Sequence, residues 1–177
     1  MLYTIPYASP LGGLWLAADD RGVTGVWFAG EKYFPNWRGV SRKERETPTL
    51  RETKRWLDIY FHGAEPDFMP PLHPIGSDFQ QVVWKILRQI PYGTTRTYGD
   101  IAAQIARARG VAKMSAQAVG GAVGHNDISI LIPCHRVVGK SGSLTGYAAG
   151  LEKKIRLLTL EKVDMSRFFV PKKGTAL

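Results

Sequence analysis

Residues 77–106 read SDFQQVVWKILRQIPYGTTRTYGDIAAQIA and contain two helix start signals in close succession. Ser77 is followed three positions later by Gln80, and Thr97 is followed in the same way by Asp100, which is the pattern of a capping box. After each start, apolar residues recur at helical spacing: Phe79, Val82, Val83, Ile86, Leu87 and Ile90, then Ile101, Ala102 and Ile105. A third helix, rich in Ala and Gly, is predicted over residues 115–124. Short helices joined by a tight turn indicate a helix-turn-helix.

The residues before this stretch predict a separate domain that begins with strands. Three short strand-forming runs separated by turns predict a hairpin or meander: residues 2–7, 14–18 and 23–28. A helix is predicted over residues 49–61. Four prolines within nine residues then form a stiff connector: Pro66, Pro70, Pro71 and Pro74. We therefore place a domain boundary near residue 74.

The residues after the helix-turn-helix complete the second domain. The apolar run 128–132 predicts a buried strand that leads directly into Pro133-Cys134-His135. A last helix is predicted over residues 151–160. The sequence thus predicts a two-domain α+β protein with a first domain over 1–74, a second, mostly helical domain over 75–163 and a basic tail over 164–177.

Charge is distributed unevenly between the two halves of the chain. The net charge is +9, but residues 1–74 contain nine Lys/Arg and nine Asp/Glu and sum to zero. Residues 75–177 contain the remaining fifteen Lys/Arg against six Asp/Glu. A half this basic is typical of a nucleic-acid binder, although solubility charge or an anionic small ligand accounts for it equally well.

The single cysteine and the lack of long apolar runs indicate the compartment. One cysteine cannot form an internal disulfide, and the first twenty residues lack the basic start and cleavage site of a secretory signal. The longest apolar runs fall far short of the about 20 residues that a membrane helix needs. We expect a cytoplasmic, chromosome-associated protein with no membrane partner.

Cys134 and the adjacent His135 are the candidate nucleophile and base. A cysteine thiolate next to a histidine is a common nucleophilic arrangement, provided that the backbone brings the two side chains together. A free cysteine is also often a small buried hydrophobe with no chemistry. The dipeptide alone leaves both interpretations open.

The sequence around Cys134 resembles a known family. Residues 132–138 read IPCHRVV and are followed by Gly146-Tyr147 and Gly150-Leu151, while IPYGT at 90–94, YGDIA at 98–102 and AVGGA at 118–122 precede them. These motifs, in this order, resemble those of the O6-alkylguanine-DNA alkyltransferases, also called methylated-DNA-protein-cysteine methyltransferases. The resemblance covers about residues 75 to 163. It implies a ribonuclease H-like first domain and a winged-helix-like second domain that carries the helix-turn-helix.

The resemblance implies a role for particular residues. Cys134 accepts the alkyl group, His135 takes the thiol proton through a water, and Glu161 orients the imidazole. Tyr98 donates a proton to the guanine, and Asn126 braces the turn around the nucleophile. The implied substrate pocket comprises Val137, Val138, Tyr147, Ala148, Gly150 and Lys154. The implied DNA-binding residues are Thr94, Thr95, Arg96, Ser115, Gln117, Ala118, Gly120, Gly121 and Arg136.

The sequence departs from the family pattern at Gln117, where relatives usually place an intercalating arginine. Glutamine is shorter and uncharged, so it makes no phosphate or cation-stacking contact. We expect weaker retention of an extruded base, or compensation by Arg107, Arg109 or Lys113. Ala148 also replaces a serine found in some relatives.

The resemblance implies a reaction and its partners. The expected activity is irreversible, stoichiometric transfer of an alkyl group from the O6 of guanine in double-stranded DNA to Cys134, with O4 of thymine as an open second substrate. We expect a monomer, leave cooperativity on DNA open, and expect no cofactor and no metal. The alternatives are a non-catalytic alkyltransferase-like damage sensor, a helix-turn-helix transcription regulator and a cysteine hydrolase. A cysteine at position 134 argues against the sensor, in which another residue usually stands there.

Overall fold

The chain forms two units in the computed structural model, which describes residues 1–171. The N-terminal unit comprises Met1–Ile75 and the short segment Asp127–Leu131. The C-terminal unit comprises Gly76–Asn126 and the described residues from Ile132 onward. The last residues of the expected tail, 172–177, lie outside the described part of the chain.

A four-stranded sheet forms the centre of the N-terminal unit. Its strands are β1 (Leu2–Ser9), β2 (Gly12–Ala18), β3 (Val23–Phe28) and β4 (Arg42–Glu44). Their order is β3-β2-β1-β4, with antiparallel pairing except between β1 and β4, which are parallel. The three predicted strands are confirmed. The sequence did not indicate β4, because its three residues are polar and exposed.

One helix, α1 (Pro48–Phe61), packs against this sheet. The side chain of Thr47 caps it by accepting a hydrogen bond from the Leu50 N–H, and a proline at the first helical position suits the start. Its buried face is apolar and aromatic: Leu50, Trp56, Leu57 and Tyr60. The predicted helix is confirmed.

Two distant segments join the sheet edge at β3. The proline-rich connector pairs there, with the His73 N–H donating to the Val23 carbonyl at 2.7 Å. Farther along the strand, Ile128 forms a parallel bridge with Val26, and the Trp27 indole N–H donates to an Asp127 carboxylate oxygen at 3.1 Å. The buried strand predicted over residues 128–132 is therefore wrong. The run forms an isolated bridge and then a turn, with Ile130 in the left-handed region at φ 73°.

The C-terminal unit is mostly helical. It contains α2 (Asp78–Leu87), β5 (Arg96–Thr97), α3 (Tyr98–Arg109), α4 (Ala116–Gly124), β6 (Val137–Val138) and α5 (Leu151–Leu160). Both capping boxes are present, at the starts of α2 and α3. Helices α3 and α4 form the predicted helix-turn-helix, and β5 and β6 pair in parallel. The four predicted helices are confirmed.

Helix α4 packs on α2 through a specific contact. The indole N–H of Trp84 donates to the Ala122 carbonyl at 2.9 Å, and Val119 and Gly120 are buried on the same helix. The helix is therefore held by its small residues against the unit's own core. Its other face, which includes Gln117 and Gly121, is exposed.

Residues 165–169, beyond the predicted end of the second domain, still pack against the C-terminal unit. Phe169 accepts a hydrogen bond from the Leu144 N–H at 2.8 Å and donates its own N–H to the Gly142 carbonyl at 3.1 Å. Met165 and Phe168 pack on a small apolar cluster of Val138, Leu144 and Leu158. The packed part of the chain thus extends beyond the expected boundary.

Candidate active site

The thiol of Cys134 lies at the start of a single turn of 3-10 helix, Cys134–Arg136. The side-chain amide of Asn126 donates to the Ile132 carbonyl at 2.8 Å and lies 3.2 Å from the Cys134 sulfur. Cys134 is 6% exposed and Asn126 4% exposed. A buried amide that contacts both the turn and the sulfur fixes where the thiol points, as the bracing role implied for Asn126 requires.

The next two residues of the same turn bind one carboxylate. His135 Nε2 lies 2.6 Å from Glu161 Oε1, and Arg136 donates from Nε to Oε2 at 2.9 Å and from Nη2 to Oε1 at 3.1 Å. A third Arg136 hydrogen bond reaches the Ile90 carbonyl at 2.7 Å. The His135 and Glu161 side chains are both fully buried. The turn therefore places an imidazole–carboxylate pair next to the thiol in the chain.

Burial and charge set the protonation of this pair. Burial raises the pKa of Glu161, but hydrogen bonds and charge from His135 and Arg136 outweigh it and hold the pKa at about 2. Burial lowers the pKa of His135 below its usual value, because it outweighs the opposing effect of Glu161. The result is a neutral imidazole beside an ionised carboxylate at neutral pH, which is the state that accepts a proton.

The DNA contact predicted for Arg136 stays a prediction, although the side chain lies inside the fold in this structure. Its guanidinium donates hydrogen bonds to Glu161 and to the Ile90 carbonyl, and the residue is only 9% exposed. A buried carboxylate needs such a partner, since an unpaired buried charge is strongly destabilising. Arg136 thus acts inside the fold, on the residue that orients His135.

Lys154 is fully buried, and its place in the lining of the substrate pocket stays a prediction. Its ammonium donates to three carbonyls: Val137 at 2.6 Å, Thr145 at 2.8 Å and Gly146 at 3.3 Å. Burial lowers the pKa of Lys154 to about 8, while the nearby negative charge of Cys134 opposes that shift. The lysine ties the segment after the nucleophile to the loop before Tyr147 and keeps a positive charge near the thiol.

Tyr98, the first residue of α3, is buried and lies near the sulfur. Its hydroxyl donates to the Thr145 carbonyl in a long hydrogen bond of 3.5 Å, so Tyr98 and Lys154 share one acceptor. Burial, together with the charge of Cys134, raises the pKa of Tyr98 to about 12. The phenol therefore stays protonated at neutral pH and can act as a hydrogen-bond donor.

A cavity of about 760 Å³ opens on the surface of the C-terminal unit beside Tyr98. Three segments line it, namely the start of α3, the start of α4 and the loop after β6: Thr97, Tyr98, Gly99, Asp100, Ala116, Gln117, Gly139, Lys140 and Thr145. Of the residues implied by the family resemblance, the structure thus brings Tyr98 and Gln117 to this cavity. Sequence reasoning missed Lys140, and only its position between Gly139 and Ser141 in a turn-forming run signalled a loop.

The other predicted pocket residues do not line this cavity. Val137 and Val138 are buried in β6, directly after the turn that contains Cys134. Tyr147 and Ala148 are half-buried in the loop that leads to α5, and Gly150 is the exposed residue just before that helix.

The predicted DNA-binding residues separate by exposure. Those exposed to solvent are Thr94, Ser115, Gln117, Ala118 and Gly121, and those half-buried are Thr95 and Arg96. Gly120 is buried with Val119, which favours the competing explanation that this glycine packs against the core, and its DNA contact stays a prediction. Ser115 also caps α4 by accepting from the Ala118 N–H at 3.2 Å.

A second, smaller groove of about 480 Å³ is lined by residues of α3, the start of α4 and the loop between them. Half of its lining residues are alanines, and Arg107 and Lys113 border it. Both residues are exposed. Arg109, the third residue expected to compensate for Gln117, has its guanidinium over the ring of Phe79 at 5.5 Å.

A helix-turn-helix and a braced thiol next to an imidazole–carboxylate pair together define a class, the DNA-binding proteins that carry a nucleophilic cysteine. Residues 78–163 match the model of the 6-O-methylguanine DNA methyltransferase DNA-binding domain, and residues 1–74 match that of its ribonuclease-like domain. The chain belongs to the 6-O-methylguanine DNA methyltransferase family.

Relatives and solved structures agree with this assignment. A methylated-DNA-protein-cysteine methyltransferase of Haemophilus influenzae is 43% identical over 165 residues, which cover 92% of this chain and 87% of that protein. The constitutive enzyme of that name from Bacillus subtilis is 39% identical over 167 residues, covering 93% and 98%. The crystal structure of Mycobacterium tuberculosis OGT in complex with DNA has a TM-score of 0.79 at 40% identity and covers 94% of each chain.

The described residues contain neither a membrane-spanning helix nor a clustered set of metal-binding side chains. None of the helices between residues 1 and 171 is both long and apolar enough to cross a bilayer. Over the same residues, His, Cys, Asp and Glu side chains form no group of three that is placed to hold a metal ion.

Proposed function

We propose that this protein repairs O6-alkylguanine in double-stranded DNA by transferring the alkyl group to the sulfur of Cys134. The observation that carries the proposal is the Cys134 thiol itself, held by the Asn126 amide at 3.2 Å and followed in the chain by a buried histidine paired with a carboxylate. Membership of the family supports the same reaction.

The first step activates the sulfur. An ordinary cysteine thiol has a pKa of about 8.5, so most of it is protonated at neutral pH. His135, held neutral by burial and oriented by Glu161, accepts the thiol proton through a water. The buried ammonium of Lys154 stabilises the thiolate that remains. Asn126 and Lys154 are positioning residues in this step.

The second step transfers the alkyl group. The thiolate attacks the alkyl carbon, a sulfur–carbon bond forms, and the carbon–oxygen bond to guanine O6 breaks with its electron pair moving to the purine. The Tyr98 phenol donates a hydrogen bond, and then its proton, to the purine as that charge develops, and the proton that His135 accepted returns through water to the tyrosinate. A donor aimed at developing charge lowers the barrier more than it stabilises the ground state.

The product limits the protein to one reaction. Cys134 becomes a thioether, and the site contains no group able to break a sulfur–carbon bond of this kind. Each molecule therefore repairs one lesion and is then consumed, in contrast to a cysteine hydrolase, whose thioester water can release.

Access to the lesion requires extrusion of the nucleotide from the duplex, which costs a few kcal/mol of unstacking. The helix-turn-helix docks the protein as a monomer on double-stranded DNA, and the small exposed residues of α4, including Ala118 and Gly121, let its backbone approach the groove closely. The cavity beside Tyr98 lies next to this helix and receives the nucleotide.

Intact-protein mass spectrometry tests the proposal. The protein is incubated with a duplex that contains one O6-methylguanine, and with the same duplex containing guanine as a control. The expected result is a gain of one methyl group per molecule with the damaged duplex only, and no gain in Cys134→Ser. An unmodified Cys134, or repair of more than one equivalent of lesion per protein, contradicts the proposal.

A further inference from the structure

Lys140 is the one lysine or arginine that lines the cavity beside Tyr98, within the described part of the chain. It is exposed, and its ammonium makes no ion pair or side-chain hydrogen bond with any other residue up to Pro171. A positive charge at the opening of a cavity attracts anionic groups.

The loop that carries Lys140, residues 139–143, is braced at both ends, and we call it the rim loop. The Gly139 N–H donates to the Ser143 carbonyl at 2.7 Å, and Ser143 forms a bridge with Phe169. A Cβ at Gly142 would lie 2.2 Å from the Arg167 carbonyl oxygen, so the backbone is closely packed there. The backbone of Lys140 is therefore fixed beside the cavity, unlike that of a lysine on a loose loop.

The α4 side of the cavity supplies no charge. Ala116 and Gln117 line it, and none of the nine residues of α4 is acidic or basic. The other charged residue of the lining, Asp100, is committed to the helix cap: its carboxylate accepts from the Thr97 N–H at 3.0 Å. Hydrogen bonds from Thr97 also lower the pKa of Asp100, which keeps it ionised.

We propose that the Lys140 ammonium binds a backbone phosphate beside the nucleotide whose base enters the cavity, and so provides the cationic contact that Gln117 cannot make. The inference rests on the proposed function, since a base drawn into the cavity brings its flanking phosphates to the rim. Arg107 and Lys113 border the neighbouring groove and not this cavity. Phosphate contacts of this kind fix the position of the protein on the duplex and do not read sequence.

The salt dependence of DNA binding tests the contact. The logarithm of Kobs falls linearly as the logarithm of the salt concentration rises, and each lysine–phosphate contact makes this fall steeper by about 0.9. In a Cys134→Ser background, which prevents transfer, Lys140→Ala should make the slope for the O6-methylguanine duplex shallower by about that amount. The loss of affinity between about 50 and about 200 mM salt then becomes about 3.5-fold smaller. Lys140→Arg should keep the slope, and the matched control Lys85→Ala, on the exposed face of α2, should not change it.

A double-mutant cycle that combines Lys140→Ala with Gln117→Arg tests whether the two cavity-lining positions act on DNA binding together. If Lys140 provides the charge that position 117 lacks, Lys140→Ala should reduce affinity less when arginine stands at 117 than when glutamine does. An unchanged slope in Lys140→Ala, an equal loss in Lys85→Ala, or additive effects in the cycle overturn the inference.

The same experiments separate this inference from the proposed function. If Cys134 is methylated but Lys140→Ala leaves the salt slope unchanged, the proposed function holds and the phosphate contact is contradicted. If the salt slope depends on Lys140 but Cys134 is never methylated, the contact holds and the proposed reaction is contradicted.

Discussion

Replacing Arg136 by methionine distinguishes a buried structural arginine from a DNA-binding one. Methionine keeps the apolar stem and removes the guanidinium. The change deletes two hydrogen bonds to Glu161, at 2.9 and 3.1 Å, and one to the Ile90 carbonyl at 2.7 Å. Glu161 is 2% exposed, so water cannot replace the lost partner.

The size of the effect follows from this burial. Removing one partner of a buried ion pair destabilises a protein by about 3–5 kcal/mol. Glu161 keeps His135 and the Gly93 N–H, at 3.2 Å, so we expect the lower end, about 3 kcal/mol. For a chain of this size each kcal/mol lowers Tm by about 2–4 °C, which gives a drop of about 6–12 °C.

Thermal and urea unfolding, followed by circular dichroism, measure the loss. The matched double variant Arg136→Met with Glu161→Gln should be more stable than the sum of the single changes predicts, because it leaves no uncompensated charge. The salt slope of DNA binding, measured well below Tm, should match that of the wild type. A Tm within about 2 °C of wild type together with a slope reduced by about one would refute the reasoning and return Arg136 to the DNA interface.

Three further changes have definite outcomes. The pKa of Glu161 lies at about 2 in the folded protein, below its ordinary value of 4.5. The ionised carboxylate therefore stabilises the fold fully above pH 4.5, and this stabilisation is lost as the pH falls from 4.5 toward 2. Urea unfolding midpoints should show this decline in acid, and Glu161→Gln should flatten it. Lys154→Met removes the buried cation near the thiol, so alkylation by iodoacetamide at neutral pH should slow by roughly three- to tenfold, and an unchanged rate would contradict the thiolate-stabilising role. Gly25→Ala places a Cβ 1.7 Å from the Trp27 ring and should cost about 1–3 kcal/mol by urea unfolding, whereas Gly13→Ala, with open space around it, should not.

Sequence alone determined the features that depend on a few neighbouring residues. The capping boxes at Ser77 and Thr97 place the starts of α2 and α3 because the cap and the third helical residue satisfy each other's backbone groups locally. Helical spacing of apolar residues located α1 and α5 in the same way. The motif IPCHRVV likewise pointed to the family and to Cys134 as the proposed nucleophile, since the resemblance rests on contiguous residues.

Residues 128–132 show where local reasoning fails. An apolar run of that length is compatible with a strand, but strand formation depends on which partner lies beside it. Here Ile128 meets Val26, about a hundred residues earlier, and the left-handed Ile130 then turns the chain away. The pattern held no information about that partner.

Only the tertiary structure decided which charged residues face solvent. Arg136 and Lys140 are both basic residues close to the nucleophile in sequence, yet Arg136 is buried against Glu161, 25 residues away, and Lys140 stands exposed at the cavity. Lys154 lies on an amphipathic helix and is buried, and its ammonium donates hydrogen bonds to three carbonyls. The free energy of burying a charged side chain depends on its loss of solvation and on the partners that it meets. Both are set by the packing of elements that are distant in sequence, so no local pattern of residues indicates them.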